Sequence, residues 1–260
     1  MFKIALDAGH GLYTPGKRCL KSLDPKETRE WWLNNRICDR IEELLKAYSG
    51  YEVLRVDDTM GESDIPLANR TASAKRWGAD FYLSVHHNAG VNGGSGGGPV
   101  TIAYLYASEA SLRYQEIVHK CFVARVGKFG NRADSTPLQN LHVLRETDMP
   151  AVLIECGFMD SSVDVPKILS EDFADKAAQG LVDALVKIGN LKPKDTKENE
   201  AMEPKFEDIK GHYAEQQIKD LFCMGIIKGV DEAHFAPNEP IKRADVAIIA
   251  RNVIRYITGK

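Results

Sequence analysis

The sequence is short of several features that would settle its class at once. It has no basic excess: 34 Lys and Arg stand against 37 Asp and Glu, a formal net charge of −3. That balance argues against a nucleic-acid binder, whose surface is normally basic, but leaves room for a locally charged polymer as substrate. No apolar stretch reaches the roughly 20 residues of a membrane helix, so no membrane insertion is expected. Nor is there a basic start followed by an apolar run; Met1 to Asp7 already reads as a strand, and no signal peptide is expected. The five cysteines (Cys19, Cys38, Cys121, Cys156, Cys223) are odd in number and without C-x-x-C spacing. They argue against a disulfide framework and fit synthesis in a reducing cytoplasm. The glycine run from Gly93 to Gly98 lacks the Lys-Ser/Thr pair of a phosphate loop. Mobility beside a cleft is expected of it instead.

What is present alternates. Apolar runs at Lys3–Asp7, Tyr51–Val56, Asp80–His86, Val100–Tyr106 and Ala151–Glu155 read as strands. Between and after them, helical periodicity runs over about 27–48, 67–77, 108–129 and 172–188. This order implies an α/β layer structure, an open, mostly parallel sheet flanked by helices. After Gly189 the chain becomes polar and aperiodic, then regains apolar periodicity in two short helices. The expected organisation is a catalytic-sized domain over 1–189, a linker over 190–203 and a small helical C-terminal module over 204–260.

In such sheets functional groups gather beyond the carboxyl ends of the strands. Three strands end in reactive residues: His10 after the first, His86 after Phe81–Val85, and Glu155 after Val152–Ile154. Each alone has a structural explanation. Together, with glycines beside His10 and Glu155 that let the backbone turn tightly, coincidence explains them poorly. At about 100° per residue, Leu33, Ile37, Ile41, Leu44 and Leu45 form one apolar stripe, and Glu30 projects from it. Glu27 falls about 60° to one side. A carboxylate on a core-facing stripe is costly unless it meets a cation. Two histidines and one carboxylate leave the open position that a catalytic zinc ion needs. Glu155, not required as a ligand, is then free to carry a proton from water to a leaving amine, which describes amide hydrolysis.

The segments Asp7-Ala8-Gly9-His10-Gly11, Glu30 with Asn34, Ser84-Val85-His86-His87-Asn88-Ala89 and Val152-Leu153-Ile154-Glu155-Cys156-Gly157-Phe158 resemble the four motifs of the type-3 N-acetylmuramoyl-L-alanine amidases, in order, over residues 1 to about 188. The resemblance implies one zinc ion held by His10, Glu30 and His86, with Glu155 catalytic. It also implies peptidoglycan as substrate, cut between the lactyl group of N-acetylmuramic acid and L-alanine. His86 matches the family ligand, whereas His87 falls where a small residue is common. Adjacent strand residues face opposite sides, so both cannot readily bind one ion. Glu27 remains an alternative to Glu30. His119 and His142 have no motif support.

Phe206–Ala214, Gly225–Gly229, Phe235–Asn238 and Ile241–Asp245 resemble one S-layer homology repeat. The resemblance implies anchoring to a secondary cell-wall polymer. The usual Thr before the Arg is Lys242 here, the usual Trp is Tyr213, and one repeat stands where three are usual. Weak binding or self-association for avidity follows as an expectation, with Arg243 as the contact to anionic polymer, since its planar fork suits carboxylate or phosphate. A wall hydrolase without a secretion signal is expected to be a phage-type endolysin, made in the host cytoplasm and released to act on the wall. A bacterial autolysin of the same chemistry, and a non-catalytic wall adhesin, are the alternatives.

Overall fold

The computed structural model describes residues 1–132, 135–194 and 205–258, which form two compact units, Met1–Pro193 and Lys194–Lys260. Most of the expected linker lies outside the described residues. Its first residues do not: β8 (Lys192–Pro193) pairs antiparallel with β2 (Tyr48–Ser49) and so belongs to the first unit.

The main sheet of the first unit has six strands in the order β3 (Tyr51–Arg55), β1 (Phe2–Ala8), β4 (Phe81–Asn88), β7 (Ala151–Phe158), β5 (Val100–Tyr104) and β6 (Leu138–Gln139). All neighbours run parallel except β5 with β7. β1, β4 and β7 therefore deliver their carboxyl ends side by side, where an open parallel sheet collects function.

The alternation of each central strand feeds two cores. Ile4, Leu6, Phe81, Leu83, Val85, Val152 and Ile154 point to one face, where α1 (Glu30–Leu45), α3 (Glu109–Val126) and α6 (Glu171–Gly189) cover them. Ala5, Tyr82, Ala151 and Leu153 point to the other, with Ala74 of α2 (Leu67–Trp77) and Val143 and Leu144 of α4 (His142–Arg145). Leu33, Ile37, Ile41 and Leu45 supply the buried stripe of α1. Helices α3 and α6 approach closely at Gly180, where a Cβ would lie 2.8 Å from the Cα of Phe122.

Helix α1 begins at Glu30, three residues later than periodicity suggests. The cause is local. Glu27 has φ +51°, outside helical space, and the Asp24 carboxylate accepts the N–H groups of Thr28 (2.7 Å) and Lys26 (3.1 Å), closing a turn. The Lys17 carbonyl then accepts the Glu30 N–H at 3.0 Å. Between α4 and α6, a short helix α5 (Val165–Ile168) follows β7.

The second unit has its own small core of Phe206, Ile209, Ile218, Ile226 and Ile227, built from a 3-10 turn (Glu207–Ile209), α7 (Glu215–Cys223) and α8 (Arg243–Thr258). The Asp208 carboxylate ties the turn to the later loop by accepting the N–H groups of Phe235 and Ala236.

Candidate metal centre

The centre starts with the turn after β1. Asp7 is buried and accepts hydrogen bonds from Arg70 Nη1 (2.5 Å), Ser84 Oγ (2.7 Å) and Tyr82 Oη (3.0 Å). Burial alone would raise its pKa, but the Arg70 charge, His86 and these hydrogen bonds bring it below the usual carboxylate value. The buried Arg70 guanidinium also donates to the carbonyls of Ala8 (2.8 Å) and His10 (2.9 Å) and to Asp64 (3.0 Å). One side chain from α2 thus fixes the backbone on either side of Gly9. His10 is held at φ +68°, a left-handed conformation that a residue with a Cβ adopts only when its surroundings impose it. Gly9 has a separate reason for its identity. A Cβ there would lie 2.0 Å from the His86 ring, which packs directly over it.

Three donors converge on this turn. Glu30, the first helical residue of α1, is buried, and its Oε1 lies 3.4 Å from His10 Nε2 and 3.1 Å from His86 Nδ1. The two imidazole rings meet edge to face, with centroids 5.0 Å apart. Among the described residues, His10, Glu30 and His86 are the group of three or more metal-type side chains whose ligand atoms lie within 4.8 Å of one another. Ligands about 2.1 Å from a tetrahedral zinc ion stand roughly 3.4 Å apart, close to both Glu30 contacts. The second carboxylate oxygen, Oε2, is buried without a hydrogen-bond partner. The Lys17 ammonium, 44% exposed, lies 3.8 Å from it. A buried carboxylate with a spare oxygen and two imidazoles beside it fits a divalent cation.

The charges respond accordingly. Burial pushes the Glu30 pKa up, but hydrogen bonds and charge from His10 and His86 pull it far below normal. Burial pushes His86 down, and Glu30, Glu155 and Asp7 together raise it.

His87 takes another course. Burial pushes its pKa down to about 3, so it is neutral at working pH. Its Nδ1 lies 2.8 Å from Asn34 Oδ1, and Asn34 Nδ2 donates to the Gly9 carbonyl at 3.0 Å. His87 therefore braces the turn through Asn34, and strand alternation keeps its ring out of the donor group. Glu27 is also outside, paired with Arg18 at 3.1 Å.

Glu155 sits on β7 directly across from His86 in the parallel register. Burial raises its pKa to about 7; His86 and Lys17 oppose that rise and Glu30 adds to it. Its Oε2 is buried and unpartnered. The centre thus combines a donor triad with an adjacent carboxyl group whose proton is exchangeable near neutral pH.

Several side chains fall elsewhere. The five cysteines lie outside the donor group. His119 lies 2.9 Å from Thr101 Oγ1 in the interior. Trp31 is buried and Trp32 is 42% exposed. Arg243, at the start of α8, is exposed on the second unit. The glycine run is not a loose flap: Gly93 N–H donates to Asp160 O (2.7 Å), Gly97 N–H to Asn131 (3.0 Å) and Gly98 N–H to Asp164 (2.7 Å). Asp160 also accepts the N–H groups of Gly90, Val91 and Asn92 at 2.7–2.8 Å.

Sequence reasoning missed Arg70, Lys17 and the bracing role of His87. One signal for Arg70 was available. It lies four residues before Ala74, on the same helix face, and Asp7 within an apolar strand needed a cation.

Comparison with known proteins agrees with this geometry. Residues 4–187 match the family described as N-acetylmuramoyl-L-alanine amidase, and residues 205–247 match the S-layer homology domain. The chain is 34% identical over 193 residues to the N-acetylmuramoyl-L-alanine amidase CwlM of Bacillus licheniformis, covering 74% of this chain and 70% of that protein. It is 33% identical to the sporulation-specific N-acetylmuramoyl-L-alanine amidase of Bacillus subtilis, with the same coverage of 74% and 70%. Identity to the endolysin of Bacillus phage SPP1 is 30%, over 73% of this chain and 66% of that one. The catalytic domain of CwlV, an amidase from Bacillus (Paenibacillus) polymyxa var. colistinus, superposes with a TM-score of 0.65 at 26% identity, covering 74% of this chain and all 100% of that one.

Proposed function

The chain belongs to the N-acetylmuramoyl-L-alanine amidase family and hydrolyses peptidoglycan, and on that premise we propose that it works as a zinc enzyme in which Glu155 moves the proton. The observation that carries this reading is the triad of His10, Glu30 and His86, with a buried carboxylate oxygen that receives no hydrogen bond and has the half-exposed Lys17 ammonium 3.8 Å away.

Held by those three side chains, a zinc ion supplies a Lewis acid that polarises the amide carbonyl and acidifies water. The protein's own residues do the rest. Glu155 accepts the proton that water gives up as its oxygen attacks the lactyl carbonyl carbon. Glu155 then returns that proton to the alanine nitrogen as the carbon–nitrogen bond breaks. The products are the lactyl carboxylic acid and a stem peptide with a free L-alanine amine. In the metal-free chain burial raises the Glu155 pKa to about 7, and a carboxyl group placed beside the donor triad can take up a proton and return it. Arg70, Asp7 and Gly9 act on the reaction only by holding the turn on which His10 and His86 meet.

The match to an S-layer homology domain supports attachment of the second unit to a secondary cell-wall polymer, with the exposed Arg243 guanidinium contacting its anionic groups. Relatives support two settings for the activity. The phage SPP1 endolysin supports release from the host cytoplasm at lysis, whereas the S-layer match and the sporulation-specific amidase support a bacterial autolysin. Finding the protein in the wall fraction of uninfected cells selects the autolysin; synthesis confined to lysing, infected cells selects the endolysin.

Digestion of purified peptidoglycan tests the chemistry. New L-alanine N-termini should appear without new reducing sugars, and chelation should abolish their release until zinc is restored. Turnover that survives complete chelation would overturn the zinc reading.

A further inference from the structure

The loop that joins β1 to α1 carries a cation that the protein's own groups leave unclaimed. The loop itself is fastened in several places. Gly11 N–H donates to Thr14 Oγ1 (2.9 Å), and that hydroxyl donates to Asp64 (2.7 Å). The Lys17 carbonyl accepts the Glu30 N–H at 3.0 Å. Arg18 then forms a β-bridge with Arg29, and its side chain pairs with Glu27 at 3.1 Å. The backbone of Lys17 is therefore fixed beside the first residue of α1, while its side chain stays 44% exposed.

Two observations place the Lys17 ammonium at the centre. It lies 3.8 Å from Glu30 Oε2. Burial raises the Glu155 pKa and the Lys17 charge opposes that rise, so its field reaches the second carboxylate as well. An amide that meets both the donor triad and Glu155 comes within the field of the same ammonium.

Neutralising Glu30 does not account for this placement, because the chain builds a structural counter-ion differently. Arg70 is 1% exposed and donates to Asp7 at 2.5 Å, and its remaining donors are spent on the Ala8 and His10 carbonyls and on Asp64. Lys17 stands beyond hydrogen-bond distance of Glu30, whose Oε2 receives no hydrogen bond. Among the described residues its three ammonium donors have no other acceptor.

The reaction supplies one. When water adds to the lactyl carbonyl carbon, the π electron pair moves onto the carbonyl oxygen and the water's proton goes to Glu155. Negative charge then gathers near Glu30, itself anionic. The pair returns to the carbon–oxygen bond as the carbon–nitrogen bond breaks. A donor aimed at charge that exists only in the transition state raises kcat and leaves KM little changed.

We propose that Lys17 is a catalytic residue that donates a hydrogen bond to the lactyl carbonyl oxygen as it gains negative charge, without itself transferring a proton. The proposal rests on the peptidoglycan amidase reading, and its test separates the two. The substrates are two single-sugar muramyl peptides that differ only in whether the stem carboxylates are free or amidated. Release of L-alanine amines by the parent protein reports the amidase reading alone. In the zinc-loaded full chain, Lys17→Met should lower kcat about a hundredfold on both substrates and change KM by less than about twofold. Rates read at each protein's own pH optimum exclude an effect through Glu155. Lys17→Arg, which keeps the charge, should recover part of the loss. Binding gives a second readout. A phosphinate analogue, with an anionic tetrahedral phosphorus at the carbonyl position, should bind Lys17→Met about a hundredfold more weakly than the parent. Zinc affinity, read by competition with a chromogenic chelator, should not fall. An unchanged kcat or unchanged analogue binding would overturn the proposal. So would a KM rise confined to the free-carboxylate peptide, which would give Lys17 to the stem peptide. A zinc affinity lowered about a hundredfold would overturn it too, by making Lys17 a positioning residue for Glu30.

Discussion

The first unit buries Asp7, Glu30, Arg70 and His87, whereas the buried set among the described residues of the second unit is Phe206, Ile209, Ile218, Ile226 and Ile227, all apolar. In the larger unit two cores and a sheet exclude enough water to perturb carboxyl groups in both directions. Glu30 is held ionised by its histidines while Glu155, across the strand ladder from His86, is pushed up to about 7. The smaller unit has no comparable dry interior among its described residues. Its α8 leaves Val246, Ile248 and Ile254 exposed, and none of the charged side chains described in this unit is buried. Bond-breaking chemistry needs the first environment, and recognition of a hydrated polymer is served by the second. Burial, more than residue type, separates the two roles.

The sharpest way to break this contrast is at Glu155. Replacing it by Gln should lower kcat about a thousandfold while zinc stoichiometry, read by atomic absorption, stays at one ion per chain. Loss of zinc in the variant would move Glu155 into the ligand set. Next is Arg70. Arg70→Met leaves Asp7 buried without its cation and should cost about 3–5 kcal/mol in urea unfolding of the first unit. A cost below about 1 kcal/mol would mean that water replaces the guanidinium.

The third test sharpens the electrostatics in metal-free protein. Because the Glu155 pKa is raised in the folded chain to about 7 from 4.5, its contribution to stability is fully present below pH 4.5. It is lost as pH rises through 7, to a total of roughly 3 kcal/mol. Glu155→Gln should remove that loss, so the metal-free variant should exceed the parent in stability at pH 8 and match it near pH 4.5. Equal stabilities at both values would show that Glu155 titrates normally. The smallest effect is expected in the second unit. Arg243→Ala should change unfolding free energy by less than about 0.5 kcal/mol, yet reduce retention of the full chain on purified walls, more so at low salt. Unchanged retention would remove Arg243 from the polymer contact.

Much of the centre was legible because apolar runs are readable, although β4 and β7 continue past His86 and Glu155 to Asn88 and Phe158 instead of ending there. His10, His86 and Glu155 each close an apolar run, and parallel pairing of β1, β4 and β7 then sets them side by side. Glu30 was legible for a different reason, its place on the apolar stripe of α1, even though the helix starts later than the stripe suggests. The direction of β5 was not. A short apolar strand reads the same whichever way it runs, and only its neighbours decide. Arg70 was hidden because its partners Asp7 and His10 are 60 or more positions away. The glycine run misled because the acceptors that fasten it, Asp160 and Asp164, follow β7 and are remote in sequence.

The bonds from Arg70 to the carbonyls of Ala8 and His10 also bear on the order of assembly. They are made by protein alone, and they close only when α2 has docked beside β1. His10 is therefore positioned by contacts that need no ion, and the site is expected to form before the metal arrives. Such a chain should collapse to its native form in the presence of a chelator and acquire its metal afterwards. Loading then becomes a step that a cell can time separately from synthesis.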